Sequence, residues 1–276
     1  MIEEILLVCA FIYLLVTSIL DIKYRLVWDY INYSFGFLFL IIRLLELIIT
    51  GDVSIFIGVI LASLATFLVG LFLYKIGAWG GGDLKLLTAL SIGLFFLPSD
   101  TVLIQTLSFP FYANFLINTL FSGIIFGLIW SYYLVIKTKT YKEFNKTHII
   151  ILIISLIFII LSFVIQTKER ILFMLISTFS LYFIIKIFED KITIIDKKVS
   201  KLDEGDWILS DMKVGNKIVT KKPTGISKED IKIFQSSKLK TIKIKDGIPF
   251  LVSFFLAFII TFVLNDNLIK VLIMNI

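Results

Sequence analysis

Charge is scarce in this chain. Only 17% of its 276 residues are Asp, Glu, Lys or Arg, against roughly 25% in an ordinary soluble domain. Hydrophobic residues make up 58%, and the mean hydropathy is +0.99. Too little polar sequence remains to coat a core of that size, which excludes a soluble globular enzyme and makes lipid the natural solvent for most of the protein. Cysteine is scarcer still. Cys9 alone excludes a disulfide framework and a multi-cysteine zinc site, and the lone His148 excludes histidine-rich metal chemistry. Any catalysis must therefore be carried by carboxylates, with no cofactor or metal expected. The first residues also lack the basic region and small-residue cleavage site of a secretory signal, so the first apolar run reads as a retained span.

What is present is a series of long apolar runs. A membrane helix takes about 20 such residues, and about eight runs qualify: 5–20, 30–49, 54–74, 84–97, 111–136, 149–165, 171–188 and 248–264. The pair at 149–165 and 171–188 is joined by only Gln166 to Arg170 and reads as a helical hairpin added to a six-span core. Lys23, Arg25, Lys75, Lys85, Lys137, Lys139, Lys142 and Lys146 all fall on one side of these spans, whereas 50–53 and 98–110 hold no Lys or Arg and the hairpin loop only Lys168 and Arg170. The positive-inside rule makes the first side cytoplasmic and puts both ends of the chain outside.

The net charge of +6 is concentrated as well: residues 189–247 carry 14 lysines against 10 acids, which is +4. A basic region beside lipid suits an anionic membrane surface better than nucleic acid. Alternating runs at 191–195, 206–209, 217–220 and 241–245, separated by Gly205, Gly215 and 223–225, predict short strands. Ser227 and Asp230 form an S-x-x-D box opening a helix over 228–236. The expected fold is therefore an all-α polytopic membrane protein with a small cytoplasmic, mostly-β (α+β) domain. The division is 1–136 as membrane catalytic core, 137–188 as basic loop and extra hairpin, 189–247 as cytoplasmic domain and 248–276 as C-terminal membrane helix.

Carboxylates near membrane depth cost about 2.5–3.5 kcal/mol at a helix centre and require an account. Asp21 ends the first span in LDIKYR, and Asp83 opens the fourth in WGGGDLKLL. The charge pattern puts both at the same membrane face, so they meet if the two helices are neighbours. Two adjacent carboxyl groups cannot both ionise readily; one then acts as a base on water and the other as an acid on a carbonyl. The bland alternative is that each aspartate merely ends its helix at the polar boundary. Gly80, Gly81 and Gly82 weigh against it, because they leave backbone free of β-carbons, open to φ > 0 and to close approach by an extended chain. Lys23, Arg25 and Lys85 are candidates to orient substrate carbonyls or tune the pair, though the positive-inside rule also explains them; Asp29 is a candidate to hold the loop or a basic substrate residue. Arg43 and Glu46, at i and i+3, are expected to pair. Trp28 and Trp79 read as interfacial residues.

Gly80-x-Gly82-Asp83 followed by Leu84 and Lys85 resembles the motif of the GxGD intramembrane aspartic peptidases, and LDIKYRLVWDYIN (20–32) resembles the first-aspartate motif of their prepilin peptidase branch. LDEGDWILS (202–210), GISKEDIKIF (225–234) and IKDGIPF (244–250) are similar to the archaeal preflagellin and prepilin peptidases. The resemblance implies Asp21 and Asp83 as catalytic residues. It also implies removal of a short basic leader from archaellin or type IV pilin-like precursors at the cytoplasmic face of the cell membrane. The four-cysteine zinc loop of many bacterial relatives has no counterpart here. An ion-coupled transporter is the alternative from another class, weakened because both aspartates share one face and no acidic or polar residue is expected mid-span to continue a path. A non-catalytic membrane scaffold would leave the G-x-G-D loop idle.

Overall fold

The computed structural model describes residues 2–77, 79–97, 110–164, 176, 179–183, 186–187, 191–215, 217–237 and 239–264. The 98–110 loop, except Pro110, and most of the run at 171–188 lie outside the described residues. Among the described residues, four helices are long and apolar enough to cross a membrane: α1 (Ile2–Tyr24), α2 (Asp29–Thr50), α3 (Val53–Lys75) and α5 (Phe111–Lys137). Between them lies the shorter α4 (Gly81–Leu94), and α6 (Lys146–Val164) follows α5. Ser155 of α6 and Ser180 share a hydroxyl–hydroxyl bond of 2.7 Å, a point of contact between the two arms expected of the hairpin.

Helix α4 is the hub. It packs against α2, α3 and α1, and Leu84, Leu86, Leu87, Leu90 and Leu94 are buried around its circumference. A helix apolar on all sides is stable only with neighbours on all sides, which is what its brevity and position provide. The last helix, α8 (Leu251–Leu264), packs against α5 and α1 and completes the bundle.

Hydrogen bonds between helices supplement packing where lipid offers no hydrophobic drive. Tyr13 Oη donates to Asn32 Oδ1 at 2.7 Å, Asn118 Nδ2 to Thr261 Oγ1 at 2.9 Å, and Ser122 Oγ to the Ser253 carbonyl at 2.8 Å. The expectation of spans without mid-helix polar residues therefore fails: Asn114, Asn118, Thr119 and Ser122 are all buried within α5. Asn118 and Ser122 tie α5 to α8. Arg43 and Glu46 do pair, at 2.6 Å. Arg43 also donates from Nε to the Ile92 carbonyl at 3.1 Å and from Nη2 to the Gly93 carbonyl at 2.9 Å. Those carbonyls end α4, so the buried cation satisfies acceptors that the helix itself leaves open.

Beyond the helices, β1 (Ile194–Lys198), β2 (Trp207–Ile208) and β5 (Thr241–Lys245) form an antiparallel sheet in the order β1-β5-β2. A separate hairpin pairs β3 (Met212–Val214) with β4 (Lys217–Val219), and α7 (Lys228–Gln235) lies between β4 and β5 in sequence. Val199, Leu202, Ile208, Val214, Val219, Ile226, Phe234, Ile242 and Ile244 form a hydrophobic cluster of their own. The predicted cap is present: Asp230 N–H donates to Ser227 Oγ at 3.3 Å, and Asp230 Oδ2 accepts from Ser227 N–H at 2.9 Å. Two strand boundaries differ from expectation. The run at 191–195 enters the sheet only at Ile194, because residues 191–193 are still helical. Strand β3 is too short to show alternation in the sequence.

Candidate functional site

Asp21 lies in the last turn of α1, and Asp83 in the first turn of α4. The two helices are neighbours, and the carboxyl groups are near enough to interact electrostatically. Each is anchored through one oxygen by a backbone amide. Asp83 Oδ2 accepts from Gly80 N–H at 2.8 Å, the one half of a capping box that a glycine at the N-cap allows, within its own helix start. Asp21 Oδ2 accepts from Leu251 N–H at 3.0 Å, across 230 positions of sequence. Both donors belong to helix starts, α4 and α8, where amides lack helical partners and the dipole favours an anion. Among the described residues, Oδ1 of each aspartate accepts no hydrogen bond.

The glycines before Asp83 are not where the expected conformational freedom is used. Gly80 has φ −78° and ψ 160°, and Gly81 and Gly82 are already helical. None of the three has a positive φ. What they provide is space: a β-carbon at Gly82 would meet nothing within 4 Å, and one at Gly80 would lie 3.3 Å from Asp83 Oδ2.

Of the other residues named from sequence, Lys85 pairs with Asp29 at 2.5 Å, which links the starts of α4 and α2. Lys23 is exposed and lies over the Tyr24 ring, 5.0 Å from its centroid. Trp79 is partly buried and meets Phe254 edge-on, so its surroundings are packed helix as well as boundary.

Sequence reasoning missed the contribution of the chain beyond β5. Arg25 Nε lies 3.9 Å from Asp246 Oδ2, and the guanidinium covers the Trp130 ring at 4.8 Å. Arg25 and Asp246 are the other charges acting on Asp21. Burial pushes the Asp246 carboxyl above its ordinary range, against the pull of Arg25 and Lys197. Arg25 Nη1 is buried without a hydrogen-bond partner, which is uncommon in a finished protein interior. Asp246 stands in the quoted 244–250 run, but without the fold nothing in its spacing from Asp21 marks the two as neighbours.

The comparison with known families bears on the chain's first half. Residues 8–132 match the type IV leader peptidase family. The matched segment runs from α1 into α5 and includes Asp21, Gly80, Gly82 and Asp83. It leaves β1 to β5, α7 and α8 outside. That family indicates a peptidase, and the reaction it implies is removal of prepilin-type leader peptides, so the resemblance drawn from the motifs is borne out at this level. No curated protein and no solved structure matches the chain.

Proposed function

We propose that this membrane protein is an aspartic endopeptidase in which Asp21 and Asp83 form the catalytic pair. Its substrates would be archaellin or type IV pilin-like precursors, cut at the cytoplasmic face of the cell membrane. The observation that carries the reading is the pair of carboxyl groups brought together from α1 and α4, each fixed through Oδ2 by a backbone amide and each with Oδ1 unbonded among the described residues. An oxygen fixed by an amide holds its carboxyl in one orientation, and the second oxygen is left for proton exchange. In the proposed cycle one carboxylate takes a proton from water as it attacks the scissile carbonyl, and the other, protonated, donates to the carbonyl oxygen. Collapse of the tetrahedral intermediate returns a proton to the leaving amine.

The same geometry sets an expectation for the substrate. A helical peptide keeps its carbonyls in internal hydrogen bonds, so cleavage requires an unwound stretch, and the missing β-carbons of Gly80 to Gly82 would let such a stretch approach. The cut is expected between a basic leader and the first apolar residue, with a small residue, most simply glycine, just before the bond. Membranes containing the full chain, incubated with archaellin-type and pilin-type precursors, test this by gel shift and N-terminal sequencing of the product. A cut in the middle of the substrate's apolar helix would refute the assigned site. EDTA is expected to leave the rate unchanged, because the proposed chemistry uses carboxylates alone; loss of activity that zinc restores would count against it.

A further inference from the structure

Arg25 occupies an unusual place. It follows the last residue of α1 with φ +56°, in the left-handed conformation that helices commonly end on with glycine, which alone adopts it without a β-carbon penalty. Its amide still bonds back to the Asp21 carbonyl at 3.0 Å. An arginine is thus held in a strained position one helical turn after Asp21. Its side chain is fixed on two further sides: the Trp130 ring of α5 covers the guanidinium, and Asp246 lies 3.9 Å from Nε. Asp246 is itself placed by the sheet. Its N–H donates to the Thr193 carbonyl at 2.8 Å, one step beyond the β1–β5 register that ends at Ile194 opposite Lys245. Five residues later the Leu251 amide reaches Asp21 Oδ2, while Ser18 of α1 donates to the Leu251 carbonyl at 3.1 Å.

From these contacts we infer that Arg25 and Asp246 are a pair of positioning residues for Asp21, built onto the end of the β1–β5 ladder, so that the polar region beyond the family match sets the geometry and charge of one half of the catalytic pair. The inference rests on the proposed function for its meaning in catalysis, not for the coupling itself. The groups facing Asp21 are Arg25 from its own helix end, Asp83 from α4 and Asp246 from the segment leading into α8; Asp246 in turn faces Lys197 of β1 and Asp206 ahead of β2. The two members of the pair act on Asp21 with opposite sign. Removing the cation or the anion must therefore move its titration in opposite directions.

The test uses the full chain in detergent or membranes as wild type, R25Q, R25K, D246N and R25Q/D246N, with two readouts. One is the pH dependence of Asp21 modification by a water-soluble carbodiimide, read by mass spectrometry; the other is the pH profile of precursor cleavage. R25Q is expected to move the Asp21 titration and the acid limb of cleavage up by about one pH unit and D246N to move them down, with the double variant between them. R25K, which keeps the charge, should stay within a few tenths of a unit of wild type. Shifts in the same direction, or a fall in kcat with both titrations unmoved, would overturn the inference and leave the pair a structural clamp. If R25Q melts too early to assay, D246N and R25K still decide the sign. Opposite shifts in modification, with no precursor cut by wild type, would uphold the coupling and defeat the peptidase reading instead.

Discussion

Asp83 and Asp21 are held in the same way by different parts of the chain. The amide that fixes Asp83 is Gly80, three residues earlier in the same helix start, whereas the amide that fixes Asp21 is Leu251, brought from the other end of the sequence. One half of the candidate site is therefore assembled as soon as α4 forms. The other half exists only when α1, α8 and the β1–β5 ladder are all in place. A site built this way couples its geometry to completion of the fold: a chain with a correct G-x-G-D turn but a misplaced α8 keeps Asp83 in register and loses Asp21.

The largest effect should come from the carboxyl groups themselves. Asp21→Asn and Asp83→Asn preserve shape and are each expected to lower cleavage by about 10³-fold or more, because general acid and base are both required. Near-normal cleavage by well-expressed Asp83→Asn would end the two-aspartate reading. The alanine variants sharpen the contrast further. In hydrogen exchange, Asp83→Ala should loosen amides only around 80–84. Asp21→Ala should loosen 248–256 as well, since it releases the start of α8 from α1.

Arg43 repeats the contrast on another helix. Its partner Glu46 is one turn away, yet its other two acceptors are the carbonyls of Ile92 and Gly93 at the end of α4. Arg43→Leu removes the cation from a buried pair and leaves those carbonyls and Glu46 unsatisfied, at a cost of about 3–5 kcal/mol. Glu46→Gln leaves both carbonyl bonds in place and should cost far less. Equal losses of thermal stability for the two variants would show that the local pair, not the bond across the fold, is what matters.

This contrast also marks how far the sequence could be read. The span positions, the capping box at Ser227 and Asp230, the Arg43–Glu46 pair and the candidate pair Asp21 and Asp83 follow from patterns confined to a few residues, or from a motif. The carbonyls that Arg43 caps, the amide that holds Asp21 and the approach of Asp246 to Arg25 depend on which helices and strands become neighbours, and neither composition nor spacing encodes that without the fold. The glycines show the reverse error. The sequence suggested conformational freedom at Gly80 to Gly82, but positive φ occurs instead at Gly77, where the chain enters the same loop.

Gly77 carries the contrast into the polar region. At φ +74°, a β-carbon there would lie 2.9 Å from the Pro223 carbonyl oxygen, so the loop leading to Asp83 abuts the turn after β4. In that turn, Gly225 at φ +80° presses against the Gly205 backbone, and its β-carbon would come within 2.2 Å of the Gly205 carbonyl oxygen. Gly225→Ala is strained on both counts and should destabilise the polar region by about 2 kcal/mol. If Asp21 depends on that region, the same variant should slow cleavage, with exchange rising across 194–245 and around 248–251. Gly77→Ala disturbs the approach to Asp83 instead and should leave exchange at 248–251 unchanged.

The smallest effect is expected where a carboxyl is held by its own helix start in the polar region, the counterpart there of Asp83. Burial works against the Asp230 charge, but the Ser227 N–H and hydroxyl and the Lys222 ammonium, 2.9 Å away, outweigh it and bring the carboxyl below its ordinary range. A carboxyl whose folded pKa is depressed contributes stability that is fully present above its unfolded value of 3.8 and disappears as pH falls through the lower folded value. Protection of the α7 and β5 amides should therefore be flat at neutral pH and decline below about pH 4. Asp230→Asn should lose about 1 kcal/mol at pH 7, the usual worth of such a cap, and flatten that part of the decline. A decline unchanged in Asp230→Asn would place the acid sensitivity of the polar region elsewhere than at this cap, and the contrast between locally held and distantly held carboxyls would then not extend to it.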